Sequence, residues 1–156
     1  GSPYQQSLSY TVRLVDMLAR GPAGTQSLHR VGVHNLSQYE AIEDLTLELE
    51  KIEPNIMQSL PMPLHPMHGP NQLDLTADET KFFEVLSWFH FEVDPAPFFN
   101  SNQFLIHHTV NGIPNLIPVS LYTVTLVARA KKTTAVRRQF TFGVGRDYAY
   151  FFAPVE

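Results

Sequence analysis

The last third of the chain alternates apolar and polar residues with a period of two, and no other feature restricts the fold as strongly. Side chains at positions i and i+2 lie on the same face of a β-strand, so this alternation predicts strands with one apolar face each. Asn111-Gly112, between two of the runs, is typical of a tight hairpin. Five antiparallel strands are therefore expected, near residues 88–93, 104–110, 122–128, 140–144 and 148–152.

The first half has apolar residues at helical spacing instead. Residues 8–20 predict an amphipathic helix that Gly21-Pro22 ends, with Leu8, Val12, Val15 and Leu18 on its apolar stripe. Two Ser/Thr-x-x-Glu capping boxes predict further helix starts, at Ser37 and at Thr76. The helix after Ser37 would bury Ile42, Leu45, Leu49 and Ile52, and the one after Thr76 would bury Phe82, Phe83 and Leu86.

Residues 54–71 contain five prolines, which remove amide donors and disfavour helix, so this segment is expected to be an extended connector. Its apolar residues favour packing across the domain surface, with docking into a partner's groove as the alternative. The predicted fold class is α+β, with N-terminal helices packed on a curved antiparallel β-meander of about five strands. We expect one domain over 8–156, preceded by a tag remnant and disordered end at 1–7.

The amino-acid composition excludes several kinds of functional site. The 156 residues contain no cysteine, which excludes disulfides, a thiol nucleophile and a Cys-based zinc site. No apolar run approaches the ~20 residues that span a bilayer. The net charge of −4 argues against a general nucleic-acid binder. Residues 1–100 hold thirteen acids and five bases, and 101–156 hold two acids and six bases, a split that either steers a charged partner or only reflects uneven surface charge.

No metal site or catalytic motif is apparent. His65 and His68 have no further ligands at suitable spacing, and the adjacent His107 and His108 would point to opposite strand faces, so no cofactor or metal is expected. The alternative of an enzyme or ligand-binding domain requires ionisable groups that meet in a concavity of the sheet. The residues that would form such a pocket are His90, Glu92, Asp94 and Asp147.

Basic and aromatic residues are concentrated near the end of the chain. Arg138 is predicted on the same strand face as Phe140 and Phe142, with Tyr148, Tyr150 and Phe152 on the neighbouring strand. Such a row is either the core, a protein interface or a surface on which single-stranded nucleic acid stacks. The three interpretations predict different exposures for the same rings.

The outer face of the long strand is the predicted partner-binding surface. Leu121, Thr123, Thr125 and Val127 are neither a clean core nor a clean polar surface, and such half-apolar sheet faces often mediate association. Arg137 and Arg138, on the next strand, complete the predicted site. A protein partner or a second copy is expected to bind here.

Three C-terminal segments, 104–112, 121–130 and 140–152, resemble the closing part of the nuclear transport factor 2-like cone fold, in the variant found in mRNA export receptors. In that family a strand ends in a turn such as Val110-Asn111-Gly112, a long strand follows, and a tight polar turn precedes a last aromatic strand. The resemblance implies a sheet face that binds a small partner of the same fold, in nuclear RNA export or a related assembly.

Together the patterns predict a non-catalytic protein-interaction and dimerisation module, located inside the cell in the nucleus or cytoplasm. Neither direct nucleic-acid binding nor a membrane is expected. Two alternatives stay open. One is an enzyme or small-molecule-binding domain, and the other is a single-stranded nucleic-acid binder that uses Arg138 and the aromatic strands.

Overall fold

The computed structural model describes residues 8–19, 24–57, 59–67, 69–70, 72–90, 103–107, 115–145 and 150–155. The regular secondary structure of these residues consists of twelve β-strands and includes no helix. In chain order they are β1 (Leu8–Ala19), β2 (Gly24–Asn35), β3 (Ile42–Glu53), β4 (Met62–Pro63), β5 (His65–Pro66), β6 (Leu73–Leu75), β7 (Thr80–His90), β8 (Gln103–Ile106), β9 (Asn115–Pro118), β10 (Tyr122–Ala130), β11 (Thr133–Val144) and β12 (Tyr150–Pro154).

The strands form two antiparallel sheets. Sheet one has the order β1-β2-β7-β8-β9, and β5 also pairs with β7. Sheet two has the order β12-β11-β10-β3-β4, and β6 also pairs with β3. The described part of the chain is therefore all-β, and the predicted α+β class is wrong.

Long-range pairing overrides the helical spacing at the start of the chain. Residues 8–20 were predicted to be a helix, but β1 pairs along its whole length with β2, from Leu8 opposite Asn35 to Ala19 opposite Gly24. Leu8 and Val12 are four residues apart and fit a strand face as well as a helix stripe. The partner strand decides between the two.

Both capping boxes form hydrogen bonds, but no helix follows either of them. The Ser37 hydroxyl accepts from the amide of Glu40 at 2.9 Å, as the capping box requires, and β3 then begins at Ile42. The Glu79 carboxylate accepts from the Thr76 amide at 2.9 Å, and β7 begins at Thr80. Ser and Thr side chains bond neighbouring amides in turns as well as at helix ends. Both predicted helices are wrong, and both boxes make turns between strands.

The C-terminal strands exist but do not form one meander. The β8 strand pairs with β7 and β9 in sheet one, whereas β10, β11 and β12 join β3 in sheet two. The turn predicted at Lys131 is present, since Ala130 lies opposite Thr133. The Asn111-Gly112 hairpin lies outside the described residues, as do residues 1–7, the turn at Arg146 and Asp147, and the region between Phe91 and Asn102.

One core lies between the sheets. Phe104 of sheet one has its ring centroid 5.3 Å from that of Phe142 and 6.3 Å from that of Tyr122, both in sheet two. His29 of sheet one stacks on Phe152 at 4.3 Å. The buried cluster draws from both sheets and includes Val31, Val33, Phe83, Leu86, Trp88, Leu45, Leu47, Leu49, Val124, Leu126 and Phe140.

The proline-rich segment packs within the chain and crosses between the sheets. Its β4 pairs with β3 of sheet two and its β5 pairs with β7 of sheet one. Leu64 lies between them, is 1% exposed and donates its amide to the Leu47 carbonyl at 2.8 Å. Met62 is also buried. These apolar side chains serve the chain's own core, so they are not free to enter a partner's groove.

Candidate interaction face

The outer face of sheet two, which points away from the core, contains most of the predicted partner-binding residues. Thr123 lies opposite Thr141 and Thr125 opposite Gln139, on neighbouring strands. On the other side of β10, Thr125 lies opposite Lys51. Because every second residue points outward, the face can be described in rows from an apolar end to a charged end.

The charged end consists of Glu48, Glu50, Val127, Arg129 and Arg137. Arg137 donates from Nε to Glu50 Oε1 at 2.9 Å and from Nη2 to Oε2 at 3.1 Å, which is a two-point contact. Arg129 Nε donates to Glu48 Oε1 at 2.9 Å. Val127 lies opposite both Arg137 and Glu48 and is 0% exposed. The ion pairs thus occupy the positions beside Val127, and this end of the face is satisfied within the chain.

The hydrogen bond from Arg137 holds the pKa of Glu50 below its ordinary value of 4.5, although desolvation acts in the opposite direction. A carboxyl group whose pKa is lowered on folding stabilises the folded state above its ordinary pKa. That stabilisation is lost as the pH falls below 4.5 through the lowered value.

Glu50→Gln therefore predicts a pH-dependent difference. At neutral pH the variant should unfold at a lower urea concentration than the wild type, because the charged contact with Arg137 is weakened. Well below pH 4.5 the two midpoints should converge, since Glu50 is then protonated in both states of the wild type. Urea titration at both pH values measures these midpoints. An equal difference between the two proteins at both pH values would contradict a stabilising role for the charged Glu50 carboxylate.

The apolar end consists of Leu121, Gly143 and Phe151, and Ala153 lies in the next row, opposite Thr141. Leu121 is 61% exposed and Phe151 is 38% exposed. Gly143 lies opposite Phe151, and a Cβ added to Gly143 would lie 3.4 Å from Leu121 Cδ1. The two large side chains therefore flank a glycine across neighbouring strands. Val155, 41% exposed, lies two rows farther along the same face, where its amide donates to the carbonyl of Gln139, the residue opposite Thr125.

The chain matches no family model, no curated protein and no solved structure. The resemblance to the nuclear transport factor 2-like fold therefore stays a prediction. No helix is present in the described residues to form the predicted helical layer.

The predicted site residues are not all on one accessible surface. Leu121 is exposed, and Thr123 and Thr125 are half-buried on the same face. Val127 is buried, and Arg137 is engaged by Glu50. Arg138 lies opposite Leu126, a core residue. Its guanidinium carbon is 6.0 Å from the Phe140 ring centroid, so it lies at the rim of the core rather than on the outer face.

The aromatic row belongs to the core. Phe140, Phe142 and Phe152 are at most 8% exposed and stack on one another. The Tyr150 hydroxyl lies 2.8 Å from His29 Nδ1 across the sandwich, and burial raises its pKa. Tyr148 lies outside the described residues. The buried rings cannot stack with bases, so a nucleic-acid surface of this kind has no support among the described residues.

Sequence patterns did not reveal a Ser-His-Glu cluster. The Ser87 Oγ lies 2.6 Å from His107 Nε2, and His107 Nδ1 lies 3.7 Å from Glu84 Oε2. Ser87 is 0% exposed, so a substrate cannot reach its hydroxyl. The cluster links β7 to His107, the residue that follows β8, and this contact is structural.

The predicted pocket residues are largely outside the described part. Glu92, Asp94 and Asp147 lie outside it, and of His90 only the backbone is described, at the end of β7.

Within the described ranges there is no group of three or more His, Asp or Glu residues that could hold a metal ion. His65 is exposed on β5, and His68 and His108 lie outside the described residues. No helix capable of crossing a lipid bilayer occurs where the structure is described.

Proposed function

We propose that this protein is a non-catalytic interaction module that pairs with a second copy of itself through the apolar end of the outer face of sheet two. The observation that carries the proposal is the adjacent exposure of Leu121 and Phe151 on both sides of Gly143. Exposed apolar side chains that occur singly are ordinary, but a contiguous group on a flat sheet face favours association. Burial of this group in a dimer would stabilise the dimer by roughly 25 cal/mol per Å² of apolar surface.

The charge of the face supports a second copy as the partner. Glu48, Glu50 and Glu53 are balanced by Lys51, Arg129 and Arg137, three acids against three bases. A balanced face does not repel its own image, whereas a face of one sign would. A two-fold contact presents the same patch from both molecules, so Leu121 and Phe151 would meet their counterparts.

The threonines suit the middle of such a contact. Thr123 Oγ1 and Thr141 Oγ1 lie 3.4 Å apart and are half-buried. Their methyl groups add apolar area, and their hydroxyl groups have partners at the surface. An intracellular location, nuclear or cytoplasmic, remains part of the proposal. The geometry offers no support for an RNA-related assembly, and the proposal does not include it.

The test compares Leu121→Asp with Leu36→Asp by sedimentation velocity at micromolar concentration. Both leucines are exposed, at 61% and 47%, but Leu36 lies in the turn before β3, whereas Thr123 of the face lies opposite Glu53 at the other end of that strand. We expect dimers for the wild type and for Leu36→Asp. Leu121→Asp should weaken association by about tenfold or more, because a carboxylate would lose its water inside an apolar contact.

Two results would contradict the proposed function. One is a wild type that sediments as a monomer over the whole concentration range. The other is a Leu121→Asp variant that associates as strongly as the wild type while its circular dichroism is unchanged. Thr123→Asp provides an independent variant on the same face, next to Thr141.

A further inference from the structure

The edge of the sandwich on the side of β6 contains an open groove that the proposed function does not use. It lies between β3 and β6 of sheet two and the start of β7 in sheet one, and Gly69 also lines it. Its wider, polar half has a volume of about 840 Å³ and is lined by Asp44, Thr46, Gln72 and Asp74. Its narrower, apolar half has a volume of about 380 Å³ and is lined by Met67, Leu73 and Phe82.

The two halves adjoin each other. Lys81 and Leu73 line both of them. Leu73 is 6% exposed and forms the floor between them. A ligand that lies along the groove therefore meets carboxylates in one half and apolar side chains in the other.

The polar half favours a cation. Asp44 and Asp74 are both exposed, and no ion pair engages either of them within the described ranges. The Asp44 amide donates to Asp74 Oδ1 at 3.1 Å, which fixes the second carboxylate beside the first. Lys81 is the basic residue in the lining, and its Nζ lies 4.0 Å from Glu79 Oε1. Two acids against one partly neutralised base leave the groove negative.

The backbone of β7 offers hydrogen bonds to an extended ligand here. The Phe82 carbonyl accepts from the Met67 amide at 2.9 Å, on the side of β7 away from β2. Backbone groups alternate sides along a strand, so the N–H and C=O of Thr80 also point to this side. The described strands on this side pair only further along β7, with β5 at Phe83 and β8 from Leu86. Thr80 itself lines the apolar half of the groove.

We propose that this groove binds an extended peptide segment of a partner protein that has a basic side chain near an apolar one. The peptide adds to the edge of β7 at Thr80, its apolar side chain packs between Met67 and Leu73, and its Lys or Arg side chain reaches Asp44 and Asp74. Edge addition supplies affinity through the backbone, and the two halves of the groove supply specificity. The site is separate from the outer face of sheet two.

The experiment uses amide-nitrogen NMR shifts of the full chain titrated with synthetic peptides. The probe is a blocked peptide of alternating Thr and Val that contains one Arg and one Leu. One control peptide replaces Arg by Glu and another replaces Leu by Ser. We expect saturable shifts at Thr80, Lys81 and Leu73 with the Arg-Leu peptide, and weaker binding with either control.

The matched protein variants test the charges. Asp44→Asn with Asp74→Asn keeps the Oδ1 acceptor for the Asp44 amide, and Asn tolerates the left-handed φ of 56° at position 44. Its affinity for the Arg-Leu peptide should fall by about five- to tenfold, as expected for two exposed ion pairs. Glu40→Gln with Glu43→Gln makes the same change in net charge at exposed sites that do not line the groove, and should leave the affinity unchanged.

Three outcomes would overturn the proposal. They are the absence of any shift at Thr80 and Lys81, equal affinity for the Arg and Glu peptides, and an unchanged affinity in the Asp44→Asn, Asp74→Asn variant. None of these depends on whether the protein dimerises. The experiments can therefore contradict peptide binding in the groove while they confirm dimerisation through the outer face of sheet two. The opposite result is equally possible.

Discussion

Phe104→Ala should lower the free energy of unfolding by about 3–5 kcal/mol, which is the range for removing a large buried aromatic side chain. Phe104 is 0% exposed and belongs to β8 of sheet one. Its ring meets Phe142, Tyr122 and Tyr150 of sheet two, at centroid distances of 5.3, 6.3 and 6.1 Å. Removal of the ring therefore leaves a cavity at the contact between the two sheets.

Urea titration monitored by fluorescence of the buried Trp88 measures this loss. Phe151→Ala is the matched control, because it makes the same chemical change at a side chain that is 38% exposed on the outer face. At concentrations too low for association, it should cost no more than about 1 kcal/mol. Equal losses for the two variants would show that Phe104 does not lie between the sheets.

Asn35→Ala should cost about 3 kcal/mol, although the residue is polar and the substitution is small. Asn35 is 0% exposed. Its Nδ2 donates to the carbonyls of Glu40 at 2.8 Å and Thr76 at 3.1 Å, and its Oδ1 accepts from the Ser37 amide at 3.0 Å. Each of these three bonds is part-buried, and an intramolecular hydrogen bond contributes roughly 1 kcal/mol to stability.

The position of Asn35 explains why one side chain has this effect. It lies at the end of β2 and joins the turn before β3 to the turn before β7, so it holds the starts of two strands that belong to different sheets. Asn55→Ala is the control, because Asn55 is exposed and accepts only a 3.3 Å bond from the Met57 amide. We expect a change within about 0.5 kcal/mol there. Similar midpoints for the two variants in urea would contradict the role of Asn35.

Bulges are one cause of the wrong helix prediction in β3, whereas β1 has a regular register and shows helical spacing without a bulge. In β3 the register shifts between Ile42 and Leu45 and again after Leu49. Each bulge inserts one extra residue, so inward positions that would be two apart become three apart. Ile42, Leu45, Leu49 and Ile52 thereby acquire helical spacing although all four face the core of a sandwich. Leu47 does not fit the helical stripe, and it is buried as well.

The pairing of distant segments was the second cause of error. The β3 strand lies beside β10, about seventy residues later in the chain, and nothing local to Glu48 or Glu50 indicates that Arg129 and Arg137 are their partners. Their contacts occupy the surface around Val127, which alternation alone had assigned to the interface.

The candidate face was only partly foreseeable. Alternation placed Leu121, Thr123 and Thr125 on one outer face, and the structure has them there. Phe151 does not belong to the alternating aromatic set, because Tyr150 and Phe152 on either side of it share the inner face. Three consecutive aromatic residues in a strand require that one points outward, and this signal was available in the sequence.

The crossing of the proline-rich segment has a mechanical consequence. Met62 is bonded into one sheet and Pro66 into the other, with Leu64 buried midway, so fewer than five peptide units bridge the two layers. The layers cannot drift apart at this point unless one of the two short ladders breaks first. Loosening of the domain should therefore begin at the strands farthest along each sheet from this crossing, which are β1 and β9 in sheet one and β12 in sheet two, and exchange of amide hydrogens with solvent should be fastest there.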